Sequence, residues 1–318
     1  MKILITGNLG FVGTETTKLL KESGHEVIGY DLMDSLDIRD KEQFERYLTS
    51  LHPDRVLHLA AIARFADADK DPKLAYETNV LGTKNVVEVC EKYHIPLVYS
   101  STGSAVMPLD KYEPPYKETV PACGNSIYGC SKATGEYYVA KHTPHIILRY
   151  SHLYGADKVR HGLIGGFIDR IQRGLEPKLY GGAQTNDFLY IEDVAMANML
   201  ALTAQWSSWN EIYNIGSGHE LSAKEAGDAV CRAFGWDGKI ETLTQRTVDP
   251  NRFCFDITKA KTMLKFEPKF SFIDGLEKMK KEMYNKSNEF KAILQDILPE
   301  KQGEDRKEEK NLAGEKPR

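Results

Sequence analysis

The first thirteen residues, MKILITGNLGFVG, constrain this chain more than any other stretch. Lys2 to Thr6 carries Ile3, Leu4 and Ile5 in succession, which suits a strand buried on both faces of a parallel sheet, where alternation is not required. Gly7, Gly10 and Gly13 follow, and Leu19 and Leu20 then mark the apolar side of a helix that stops at Ser23-Gly24. Strand, glycine loop and helix in that order set backbone N–H groups and a positive helix end against a phosphate. A side chain at these glycine positions would hold a pyrophosphate off the backbone or push helix and strand apart. A second strand, Glu26 to Tyr30, ends at Asp31. A carboxylate ~20 residues beyond a glycine loop is placed to accept hydrogen bonds from an adenosine ribose. It repels a 2′-phosphate, so NAD is expected in preference to NADP.

The same grammar continues. A helix with Phe44, Tyr47, Leu48 and Leu51 on one face follows Asp37-Ile38, and Arg55 to Leu59 is a third strand running into Ala60-Ala61. Asp71-Pro72 opens a helix with proline in its first turn, in which Asn79 is an odd polar member. Ile95 to Ser101 is a fourth strand, and a proline-rich loop leads to a helix near Ser126 to Lys141. His145 to Arg149 is the fifth. Strands alternating with helices imply an α/β, doubly wound parallel sheet whose ligand lies at the strands' C-terminal ends.

Beyond Arg149 the pattern loosens into a helix around Leu163 to Gln172, strands near Asp187–Tyr190 and Tyr213–Ile215, a helix starting at Asp193, and a Ser222/Glu225 capping box. This reads as a smaller lobe interleaved with returns to the main sheet. The expected division is a cofactor domain over 1–150, with segments near 187–218 returning to it, and a substrate lobe over 151–298. Phe290, Ile293, Leu294, Ile297 and Leu298 make one apolar face of a late helix, which docks on the body or on a second subunit, so a homodimer stays open. The charged, aromatic-free tail over 299–318 reads as disordered.

Composition excludes several classes. A net charge of −4 gives nucleic acid no basic face to bind. No apolar stretch approaches the ~20 residues of a membrane span, and the N-terminus enters a strand in place of a signal peptide. The five cysteines are odd in number and contain no C-x-x-C, so neither a disulfide framework nor a metal site is expected, and a reducing cytoplasmic compartment is.

The chemistry is carried by Tyr128 and Lys132, four apart and so on one helix face. An ammonium beside a phenol is expected to lower the tyrosine's pKa from its usual ~10, which lets it move a proton to or from an alcohol oxygen. Tyr-x-x-x-Lys recurs at Tyr137/Lys141 and Tyr154/Lys158. Position favours the first pair: Tyr137 turns to the opposite helix face, and Tyr154 follows a strand end. Thr102, at the end of the fourth strand, offers a hydroxyl to the same oxygen.

Taken together, TGNLGFVG, Asp31, LDI, HLAA, NVLGT from Asn79, YSST ending at Thr102, YGCSK, LRYSHLYG, DFLYIEDVA and YNIGSG resemble the extended short-chain dehydrogenase/reductases, in particular their nucleotide-sugar epimerase/dehydratase group. The likeness runs from Met1 to about Tyr284. It implies a Rossmann sheet holding NAD and a C-terminal α/β lobe holding a nucleotide-diphosphate sugar. By that resemblance Gly7, Leu9, Gly10, Phe11, Val12 and Gly13 cradle the cofactor with Asp31. Asp37 and Ile38 touch adenine, and Leu59, Ala60, Ala61 and Ser100 line the cofactor. Asn79 supports the site, and Lys132 also grips the nicotinamide ribose.

The departures bear on the reaction. Where dehydratases of the group carry Asp-Glu after the threonine, this chain has Gly103-Ser104, which disfavours elimination; Ala105-Val106-Met107 replaces the usual Val-Tyr-Gly. On the substrate side, His152 stands for the usual Asn and Asn186 for an Arg, leaving Arg246 or Arg252 to clamp a diphosphate. The leading expectation is a 4-epimerase with Thr102, Tyr128 and Lys132 as its catalytic residues. An NAD(P)H-dependent 4-keto sugar reductase, suggested by the short Asp31–Asp37 connection, and a non-catalytic NAD sensor are the rivals.

Overall fold

The computed structural model describes residues 1–142, 144–156, 162–245 and 251–297, with side chains described up to 285 in the last segment. The first half alternates β1 (Lys2–Thr6), α1 (Phe11–Glu22), β2 (Glu26–Tyr30), α2 (Lys41–Leu51) and β3 (Arg55–His58). It continues through α3 (Phe65–Lys70), α4 (Pro72–Tyr76), a stretch of π-helix over Glu77–Gly82, α5 (Thr83–Lys92), β4 (Leu97–Thr102), α6 (Ile127–Val139) and β5 (His145–Tyr150).

The apolar runs are explained by two-sided burial. On β1, Ile3 and Ile5 enter one core cluster with Leu57, Val98, Ile146 and Leu148, whereas Leu4 enters another with Val56, Leu97, Tyr99 and Ile147. Successive residues of each strand thus feed opposite helical layers, so neither face selects for polar side chains.

The second half contains β6 (His152–Tyr154), α7 (Gly162–Gln172), β7 (Lys178–Tyr180), β8 (Thr185–Asn186), β9 (Phe188–Tyr190) and α8 (Ile191–Thr203). It then runs through β10 (Glu211–Ile215), β11 (Leu221–Ser222), α9 (Ala223–Phe234), β12 (Glu241–Leu243) and α10 (Phe272–Ile297). The main sheet has six strands in the order β2-β1-β3-β4-β5-β10, all parallel. Three two-stranded ribbons, β6 with β9, β7 with β12 and β8 with β11, make up the smaller sheets. The chain leaves β1 for β2 on one side and returns to β3 on the other, which opens a crevice beyond Thr6 and His58, paired in register.

Local signals behave largely as expected. Ser222 and Glu225 form the reciprocal cap of α9. Asn79, odd on an apolar helix face, is fully buried because its amide accepts from the Ile62 N–H at 2.8 Å and donates to the Ile62 carbonyl at 3.0 Å. Element boundaries shift by one or two residues in several places; at the most informative of them, α8 starts at Ile191, not Asp193. The Asp193 carboxylate serves no cap there; it accepts the backbone N–H groups of Lys269 and Phe270 at 2.8 and 3.2 Å and ties the chain before α10 to the body.

Arg246, Lys158, Leu298 and the 299–318 tail lie outside the described residues, as do the side chains of the Phe290–Ile297 face. No helix among the described residues is long and apolar enough to cross a membrane.

Candidate active site

The glycine turn is closed by contacts that admit no side chain. Gly7 has φ +74°, and a Cβ there would lie 2.8 Å from the Ala60 nitrogen; one on Gly13 would lie 2.1 Å from the Gly7 carbonyl oxygen. The chain therefore crosses the end of β3 and enters α1 at van der Waals distance. No side chain caps α1 at Gly10, and its first turn holds no acidic residue, so its positive end faces the crevice. Asp31 fastens the turn from β2: one carboxylate oxygen accepts the Leu9 N–H at 3.0 Å and the other the Met33 N–H at 3.0 Å. A carboxylate has about four acceptor positions, so two contacts leave room for ribose hydroxyls.

These groups line a cavity of about 660 Å³. Its wall gathers Gly7, Leu9, Gly10, Phe11, Val12, Gly13, Asp31, Asp37 and Ile38 with Leu59, Ala60, Ala61 and Ser100. Thr102, Tyr128, Lys132 and His152 line the same space, and Leu163 and Met279 close it from α7 and α10. Asn79 is behind the wall, where its amide donates to Ser131 at 2.9 Å; the Ser131 hydroxyl donates to the Tyr128 carbonyl at 2.7 Å. It thereby joins the loop after β3 to the first turn of α6. Asn186 pairs in the β8–β11 ribbon away from that wall. Arg252 is also absent from it, its guanidinium forked on Glu220 at 2.7 and 2.7 Å.

Helix α6 is capped by Ser126, whose hydroxyl accepts the Gly129 N–H at 3.0 Å, and this fixes Tyr128 in its first turn. The Gly129 Cα faces the Ala105 carbonyl so closely that a Cβ would lie 1.9 Å from it. Burial pushes the Tyr128 phenol up to about 12, and a hydrogen bond from Thr102 acts the other way. Lys132 is pulled down to about 7 by burial, with the Glu136 carboxylate opposing. The expected lowering of the phenol is thus reversed, because both groups lose water and Lys132 is driven towards its neutral form. The Lys132 Nζ lies 4.2 Å over the Tyr99 ring centre. Of the other repeats of the pattern, Tyr137 is 60% exposed with Lys141 over its own ring, and the Tyr154 hydroxyl donates to the Phe272 carbonyl.

Two features were not read from the sequence. Arg39 lines the cavity beside Asp37 and Ile38 and forks onto Asp37, Nε to Oδ2 at 2.9 Å and Nη2 to Oδ2 at 2.6 Å, so the Asp37 charge is already neutralised. The opposite charges two apart in Asp37-Ile38-Arg39 were the available signal. Phe65 packs edge-on to Tyr128 with ring centres 5.5 Å apart. It falls between two recognisable elements, and no local pattern marks it.

Residues 3–216 match the model of the NAD dependent epimerase/dehydratase family. This chain belongs to that family. NAD is accordingly the cofactor, and the uncapped α1 terminus, the crossing at Gly7 and the fixed Asp31 fit it. Among relatives in the epimerase/dehydratase family, the putative UDP-glucose 4-epimerase of Methanocaldococcus jannaschii is 34% identical over 307 residues, covering 89% of this chain and 98% of that protein. The UDP-glucose 4-epimerase structure from Thermotoga maritima with UDP-glucose superposes with a TM-score of 0.83 at 30% identity, covering 91% of this chain and all (100%) of that one. The Thermus thermophilus UDP-glucose 4-epimerase complex with NAD gives 0.79 at 30% identity, over 90% and 99% of the two chains.

Proposed function

We propose that this enzyme is a nucleotide-sugar 4-epimerase in which Thr102, Tyr128 and Lys132 are the catalytic residues. The observation that carries the reading is the convergence of those three side chains with the glycine turn and Asp31 on one cavity wall. Bound NAD supplies a hydride acceptor for the sugar C4 and a donor for its return to the other face. Tyr128 takes the C4 hydroxyl proton and gives it back, while Thr102 hydrogen-bonds the same oxygen. Because burial holds the phenol near 12 even against the Thr102 hydrogen bond, the ammonium form of Lys132 is what brings it into working range.

Elimination finds no support in the site. A Cβ on Gly103 would lie 2.2 Å from the Phe255 ring and 2.7 Å from the Phe253 ring. Those aromatic rings fill the place beside Thr102 where an acidic side chain would have to stand. The substrate lobe offers His152, which burial keeps neutral by lowering it to about 4, and whose Nδ1 is buried without a partner. A sugar hydroxyl would satisfy it. Arg252 reaches a diphosphate only by exchanging Glu220 for phosphate oxygens. Likeness to UDP-glucose epimerases supports a uridine nucleotide as the carrier.

The test is incubation with UDP-glucose or UDP-galactose and no added cofactor. Interconversion is expected, with a loss of about 10²–10⁴-fold in Tyr128→Phe. The competing reductase reading is favoured by the short connection after β2, where a single 3₁₀ turn over Leu32–Asp34 precedes α2. Oxidation of added NADH by a 4-keto nucleotide sugar, without interconversion, would select it instead.

A further inference from the structure

Helix α6 carries a third ionisable side chain on the face of the reacting pair. Tyr128, Lys132 and Glu136 follow one another at intervals of four residues. Glu136 is only 5% exposed and Arg149, on β5, only 2%. Arg149 grips the carboxylate as a fork, Nε to Oε1 at 2.9 Å and Nη2 to Oε2 at 2.7 Å. The Ser101 hydroxyl, on β4 beside Thr102, donates to Oε1 at 2.5 Å. The remaining Arg149 nitrogen donates to the Val120 carbonyl at 2.9 Å. Helix α6 and strands β4 and β5 thus lock this carboxylate one turn behind Lys132.

We propose that Glu136 is a positioning residue for Lys132: clamped by Arg149 and Ser101, its carboxylate opposes loss of the ammonium form of Lys132 where that side chain meets the cofactor and Tyr128. The consequence for turnover rests on the reading of Tyr128 and Lys132 as the reacting pair. The groups that face Lys132 leave this work to Glu136. From β3, His58 is kept uncharged, lowered by burial to about 3 and held between the Thr6 and Thr83 hydroxyls at 2.6 and 3.0 Å. From β4, Tyr99 is buried and its phenol raised, so it offers a neutral ring. Tyr128, on the same helix, is likewise raised by burial. Asn79 and Ser131 bring no charge. Arg149 is the counter-charge of Glu136 and opposes it at Lys132.

Opposite charges give the test its direction. In the full-length NAD-loaded protein labelled with ¹³C-lysine, the Lys132 resonance is assigned by its loss in Lys132→Met, and its titration is followed by NMR. Glu136→Gln is expected to lower the midpoint and Arg149→Met to raise it, each by about half a pH unit or more. A merely structural ion pair would lower the melting temperature of both variants, since each leaves a buried charge unpaired, without moving Lys132 in opposite directions. An unchanged midpoint, or one that moves the same way in both, overturns the proposal. Should a single variant fail to fold, Glu136→Gln/Arg149→Met removes both charges; its midpoint is expected below that of the parent protein, and an unaltered one overturns the proposal equally. Activity retained by Tyr128→Phe would remove the reading of the reacting pair while leaving the titration result to stand on its own.

Discussion

Lys132 is held where it is costly to hold. Its folded pKa is about 7, against an ordinary 10.5, so between those values the unfolded chain binds more protons than the folded one. The contribution of Lys132 to stability must therefore rise with pH across that window, and its cost is complete below about pH 7. Replacing Lys132 by Met is expected to raise the melting temperature relative to the parent protein below pH 7. That advantage should shrink as pH climbs towards 10, as calorimetry at several pH values would report. On the proposed catalytic role of Lys132 the variant should also be inactive, the usual exchange of stability for function. At this scale Tyr128, Lys132 and Thr102 were legible because their spacing and their place at a strand end are local facts. The direction of the phenol's shift was not, since it depends on how much water α6, β4 and the loop after β3 exclude together.

Among the elements, the glycine turn ties sequence to geometry most directly. Gly13 lies within the first turn of α1, and a methyl group there would meet the Gly7 oxygen at 2.1 Å and Asn8 Cα at 2.7 Å. Gly13→Ala must push α1 from β1 and spread the N–H groups that face the phosphates. A loss of about tenfold or more in NAD affinity is expected by isothermal titration, with the fold retained by circular dichroism. The turn was readable because strand, glycine spacing and helix are contiguous. Gly103 is a different case: its meaning comes from Phe253 and Phe255, some 150 residues away in the chain, whose rings occupy the space beside it. The start of α8 is a similar case: the helix begins at Ile191, and what the Asp193 carboxylate does is set by the backbone of Lys269 and Phe270, brought to it from far along the chain.

Across the whole molecule, one core cluster runs from Ile3 and Leu57 on the main sheet through Phe167 and Val230 to Leu276 and Met279 on α10. Strand β10 also pairs with β5, although 60 residues separate Tyr150 from Glu211. The two halves share both sheet and core, so they should unfold together. Thermal unfolding followed by far-ultraviolet and near-ultraviolet circular dichroism is expected to give coincident transitions, and separate midpoints would show the lobes to be independent.

The sequence by itself determined the doubly wound frame, the glycine turn with Asp31, and the placing of Tyr128 and Lys132 on one helix face, because each is written in spacings of a few residues that set a face or a turn. Tertiary structure alone decided that Arg252 is forked on Glu220, that Arg39 neutralises Asp37 on the cavity wall, and that Phe65, Leu163 and Met279 close around the site. It also decided that Glu136 and Arg149 stand behind Lys132 as a buried pair. Charge, burial and free space at a point are sums over every segment that arrives there, and for most of these contacts the segments come from distant parts of the chain.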